Sequence, residues 1–110
     1  MRVTASIAIV LSLLSTGCSR GAVDAQKSTS QTVVIDGTRF QPAELSVNVG
    51  DSIVWVNKDP FPHTATSATG GFDSGEIASE KSWTFKAVKA GEFPYVCTLH
   101  RNMKGILRVK

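Results

Sequence analysis

Cysteine, histidine and methionine are scarce in this chain, with two of each among 110 residues. Met1 opens the sequence and Cys18 lies in a leader-like segment, so Cys97 and Met103 are the sole Cys and Met left for a folded domain. No disulfide is expected between two Cys in such different settings. Long hydrophobic runs are missing too. The longest, Ile7 to Leu14, has eight residues, too short to span a bilayer. Charge of one sign is not piled up either. Twelve basic against nine acidic residues give a net +3, dispersed along the chain without the Lys/Arg stripe of a nucleic-acid binder. That balance implies mild steering toward acidic protein partners and nothing stronger. No helix-period stretch follows the leader and no internal repeat is present, so the pattern offers neither a helical bundle nor a repeat array.

What is present is concentrated. Cys97-Thr98-Leu99-His100-Arg101-Asn102-Met103 places a thiolate, an imidazole and a thioether within seven residues, and a second histidine stands upstream in Pro60-Phe61-Pro62-His63. Trigonal His₂Cys coordination with a weak axial Met is the signature of a blue-copper electron-transfer site. Soft thiolate and thioether favour Cu(I), while imidazole suits both oxidation states, so one geometry can serve both. Taken singly, each residue has a plainer reading: Met as a core gap-filler, His as a structural side chain, Cys as a small buried hydrophobe. Those readings weaken once the three stand in a Cys-x₂-His-x₂-Met row behind a distant His. A catalytic Cys–His pair is the chemical rival. A nucleophile and base three residues apart, with no evident oxyanion hole, make a poor enzyme, and none is expected.

Further segments carry a family resemblance. Phe40-Gln41-Pro42, Val49 to Asn57, Phe61-Pro62-His63 and Gly91-Glu92-Phe93-Pro94-Tyr95-Val96-Cys97 lead into the ligand loop. Over Thr32 to Lys110 the chain resembles a cupredoxin of the plastocyanin/amicyanin type, and its short ligand loop is that of amicyanins. The resemblance implies one copper ion held by His63, Cys97, His100 and Met103, and one-electron shuttling between redox proteins. It further implies docking at the His100 end of a monomer, by partners such as a dehydrogenase and a cytochrome c. Phe61, Pro62, Leu99 and Pro94 are the candidates for an apolar patch there. Plastocyanins use a Tyr before the ligand Cys as a second exit; Val96 stands there here, so a single exit through His100 is implied. Two positions depart from the family: Thr64 replaces a frequent Asn, and Leu99 a frequent Pro. The Thr64 or the Leu99 amide is expected to point at the Cys97 sulfur and tune the metal. The alternative function is a protein that buffers or delivers periplasmic copper; a closed four-ligand site argues against it.

The leader reads as an export signal over residues 1–17, with Arg2 ahead of the apolar run. Ser15-Thr16-Gly17-Cys18 resembles a bacterial lipobox, with Ser15 in place of the usual aliphatic residue; acylation would make Cys18 the mature N-terminus and anchor it to the membrane. Cleavage after Gly17 or Ala25 gives a soluble product instead. Residues 18–30 are polar and read as a flexible tether. Either way the expected location is periplasmic.

Residues 31–110 then form one domain, and the expected fold is an all-β, antiparallel Greek-key sandwich of the cupredoxin type. Glu44 to Val49 alternates with Leu45, Val47 and Val49 on one face. Ser52 to Asn57 is β-branched and aromatic, Ser82 to Lys86 turns Trp83 and Phe85 inward, and Phe93, Tyr95 and Cys97 share parity. Gly105 to Lys110 closes the sheet, and Ala68 to Gly71 reads as a loop.

Overall fold

A computed structural model describes residues 27–110. The expected signal peptide, Cys18 lipidation site and most of the tether lie outside the described residues. Eight strands follow in order: β1 Ser30–Ile35, β2 Phe40–Gln41, β3 Glu44–Val47, β4 Ser52–Asn57, β5 Thr66–Ser67, β6 Ser82–Lys86, β7 Gly91–Cys97 and β8 His100–Val109. Among the described residues no helix is long and apolar enough to cross a membrane.

The strands form two four-stranded sheets, β2-β1-β4-β6 and β3-β8-β7-β5, packed as a sandwich. The all-β two-sheet expectation holds, but the sheets are mixed and not wholly antiparallel: β1 runs parallel to β4, and β3 parallel to β8. Chain direction explains this. β2 is antiparallel to β1, and the chain then crosses to the other sheet through Pro42 and Ala43 without reversing. The turn at Asn48–Asp51 reverses it, so β4 re-enters beside β1 in the same sense. The ends of β1, β4 and β7 and the start of β8 therefore share one pole, here the upper. The start of β1 and the ends of β3, β6 and β8 share the lower.

Alternation delivers the core as expected along β4, where Ile53, Trp55 and Asn57 are buried between half-buried neighbours. Trp83 and Phe85 pack half-buried against that core. Two expectations shift. Val49 lies beyond β3 in the turn and is 47% exposed, because the reversal to β4 takes it off the inward face. The last strand begins at His100, not Gly105, so His100 and Met103 both stand on it.

Aromatics fill the space between the sheets. The Trp55 ring meets Tyr95 edge-on at 5.5 Å, and Phe40 meets Tyr95 at 4.7 Å. Tyr95 lies opposite Gly105 on β8. A Cβ on Gly105 would sit 2.3 Å from the Tyr95 ring, so glycine is what lets this ring lie flat across its neighbour. Burial pushes the Tyr95 phenol up to about 12.

Candidate metal centre

Strand β7 ends on Cys97, and Thr98-Leu99 turns the chain straight into β8, so Cys97 and His100 face each other across the hairpin. A register shift between Val96 and Cys97 re-aims the last residue of β7, as bulges do. Three residues on, Met103 shares inward parity with Gly105 and Leu107 and is buried. With His100, Asn102 and Thr38 it lines a small cavity of about 120 Å³.

His63 arrives from the loop after β4. Asn57, fully buried at the end of that strand, shapes the loop by donating from Nδ2 to the carbonyls of Phe61 and Ile77 and accepting the Asp59 amide on Oδ1. The His63 backbone is clamped to Ile77 in both directions, at 3.2 and 2.7 Å. His63 and Cys97 are each 0% exposed.

The His63 imidazole is oriented by Asp59, whose Oδ2 lies 2.7 Å from Nε2. Burial opposes ionisation of Asp59, but the amides of Thr38 and Gly37 and the His63 ring outweigh it and hold the carboxyl below its usual range. An ionised carboxylate can only accept, so Nε2 donates to it and Nδ1 is the ring nitrogen left for a metal. Nδ1 faces the Cys97 sulfur at 3.6 Å. Gly37 and Thr38 both adopt positive φ, 61° and 57°, which aims their successive amides at the same carboxylate. For β-branched Thr38 this backbone is strained, and its N–H···Asp59 bond at 2.9 Å helps to hold it there.

One ligand atom each from His63, Cys97 and His100 lies within 4.8 Å of the others. The His63 and His100 ring centroids are 5.0 Å apart, with the Phe61 ring 5.2 and 5.7 Å from them. A buried thiol that forms no disulfide and an imidazole oriented with Nδ1 toward it suit a metal that binds thiolate and imidazole. Of the four ligand residues expected from the sequence, His63, Cys97 and His100 thus gather at the upper pole, Met103 shares a cavity with His100 there, and His100 alone among the four is exposed.

The second layer was less legible. Of the two amides expected at the sulfur, the Thr64 N–H donates to Cys97 Sγ at 3.3 Å, and no such bond joins Leu99 to it. The Thr64 hydroxyl accepts the Thr98 N–H at 2.9 Å, tying the His63 loop to the Cys97 turn, and it also contacts Thr66 and Thr98 Oγ1. Asp59, Thr66, Thr98 and Asp73 were not anticipated. The only available signal was Asp59 four residues before His63, in a loop with no period to give it a direction.

The family described as cupredoxin-like domain matches residues 5–109. Amicyanin of Paracoccus denitrificans is 28% identical over 72 residues, 61% of this chain and 55% of that protein, so the chain spans about half of that relative's length. Amicyanin-alpha of Methylorubrum extorquens is 27% identical over 89 residues, 76% of this chain and 75% of its own length. Among solved structures, an oxidised amicyanin variant superposes with a TM-score of 0.70 at 27% identity, covering 74% of this chain and 82% of that one. A copper-containing nitrite reductase from Thermus scotoductus also scores 0.70 at 29% identity, but the match covers only 22% of that enzyme.

Proposed function

Because the chain belongs to the cupredoxin family and His63, Cys97, His100 and Met103 form a type 1 copper site, we propose that it is a blue copper carrier of single electrons between redox proteins. Copper bound there supplies a one-electron couple. The residues supply everything else. His63 and Cys97 are buried and held by hydrogen bonds to Asp59 and from the Thr64 amide, so gaining or losing an electron need not move them. The Thr64 amide withdraws density from the thiolate, which favours the reduced state.

Access supports transfer through one end. Phe61 and Leu99 are 41% and 46% exposed, and Phe61 lies against the exposed His100 ring. Pro62 is exposed as well, whereas Pro94, expected in the same patch, is set opposite Ile106 along β7 and so lies away from the His100 end. An apolar rim around a ligand edge fits brief docking of another redox protein, which desolvates easily and releases quickly. The burial of His63 and Cys97 is the observation that carries this reading over copper buffering or delivery, where a site must open to release its cargo. The same reading puts the domain in the periplasm, tethered through Cys18; its support is the leader pattern of Arg2, Ile7 to Leu14 and Cys18.

Protein-film voltammetry of the copper-loaded protein tests the proposal. It should show a reversible one-electron wave that persists over repeated cycles. Leu99→Asp should slow electron self-exchange while leaving the visible spectrum unchanged, since it alters the docking rim and no ligand. Loss of copper on each reduction would instead favour delivery.

A further inference from the structure

The exposed large hydrophobic residues divide between the poles. Phe61 and Leu99 flank the metal centre, while Val49 and Val88, 47% and 71% exposed, stand at the opposite end. Backbone bonds assemble that lower pole: Gly50 N to Ala87 O at 2.7 Å, Ala87 N to Asp51 O at 2.8 Å, and Val49 N to Lys110 O at 3.0 Å. The register sets Lys86 opposite Ser52 in the same place. Val88 and Lys89 rim a cleft of about 450 Å³ against half-buried Phe85 and Phe93.

Charge on this pole is one-sided. Lys27, Lys86, Lys89 and Lys110 are exposed, and none of them forms an ion pair among the described residues. The two acids nearby are already engaged. Asp51 is buried and accepts the Thr29 and Asn48 amides, and Glu92 pairs with Arg108 at 3.2 Å. The pole is net positive, with four lysines against Asp51 and the Arg108-paired Glu92. The chain also enters the domain here, since the Thr29 N–H bonds Asp51 at 2.9 Å. Whatever precedes Lys27 therefore leaves from the lysine-bearing pole.

We propose that this lower pole is a docking face for an anionic lipid surface, with Lys86, Lys89, Lys110 and Lys27 meeting headgroup phosphates and Val49 and Val88 reaching the interface. Lysines near an anionic membrane each contribute about 1 kcal/mol, and shallow apolar insertion adds to them. Docked this way, the domain turns His100 and its rim away from the membrane, open to soluble partners. The inference stands on the pole's charge and shape and does not rest on lipidation of Cys18 or on the electron-transfer reading.

Vesicle co-sedimentation of the full chain tests it, with phosphatidylcholine alone or mixed with phosphatidylglycerol. The protein should partition into the mixed vesicles in preference to the neutral ones, and added salt should remove the preference. Lys86→Gln and Lys89→Gln should each lower partitioning into mixed vesicles about fivefold, and the pair about 25-fold, from the contribution per lysine above. Lys81→Gln, at the upper start of β6, removes the same charge and should leave partitioning near wild type. An equal loss with Lys81→Gln would mean only net charge matters and would overturn the docking face. So would equal binding of wild type and double variant, or salt-sensitive binding to an acidic protein without binding to mixed vesicles.

Discussion

Replacing Thr64 with Val removes one oxygen from the layer behind the metal and keeps the shape. The proton directions around that oxygen are determined. Thr66 Oγ1 lies 3.1 Å from Asp73 Oδ1, and a carboxylate only accepts, so the Thr66 proton goes to Asp73. The Thr64 proton then goes to Thr66 at 3.0 Å, and Thr64 Oγ1 accepts the Thr98 N–H at 2.9 Å and the Thr98 hydroxyl at 3.1 Å. One hydroxyl thus anchors two ligand loops with its full bonding capacity. Val breaks all three contacts but keeps the backbone N–H to Cys97 Sγ. A net hydrogen bond contributes about 1 kcal/mol, and a stranded donor costs more when buried. Thr98 is exposed, so water can reach its N–H, and about 1.5 kcal/mol in total is a fair expectation. For a domain of this size that lowers Tm by about 6–12 °C. Thermal unfolding of the metal-free protein by circular dichroism reads it, with Thr64→Ser as the variant that restores the hydroxyl and most of the stability. If Thr64→Val melts with wild type, or if Ser melts as low as Val, the hydroxyl does not join the loops.

Three other outcomes follow from the fold. The amides of Asn48 and Thr29 hold the Asp51 carboxyl below its usual range, so their stabilisation is complete above the unfolded value, about 3.9, and is lost as pH falls through the folded one. Asp51→Asn should flatten that acid limb of the stability curve; an unchanged limb would count against the assignment. The single tyrosine, Tyr95, should not ionise in an ultraviolet titration until about pH 12, and a phenolate appearing near pH 10 with the fold intact would show that the ring is not buried. Gly105→Ala drives a methyl into the Tyr95 ring, 2.3 to 2.7 Å from its atoms, and should destabilise by about 1–3 kcal/mol in urea unfolding; wild-type stability would contradict that packing.

The strands carrying alternation were legible because one face had to be buried: β4 and β6 begin and end at the residues their pattern indicates. β1 was not marked out, since Ser30–Ile35 carries too few apolar positions before Val33 to show a period. The parallel pairings were hidden because they depend on a crossing between sheets, which leaves no mark on either strand. The four ligands were legible because Cys, His and Met are rare here and tightly spaced. Their supports were not. Asp59, Asn57 and Thr66 are ordinary loop and strand-end residues, and only the folded chain brings Asp59 to Nε2 of His63 at 2.7 Å.

The central claim is that His63, Cys97, His100 and Met103 hold one copper ion with the Cys97 thiolate bound to it. The most direct test is a Cu(II) titration of the metal-free protein followed by visible absorption. An intense thiolate-to-copper charge-transfer band should grow to a sharp endpoint at one equivalent, and Cys97→Ser should abolish it while circular dichroism still shows the folded sandwich. A wild-type protein that stays colourless, or a Cys97→Ser variant that turns blue, would contradict the account.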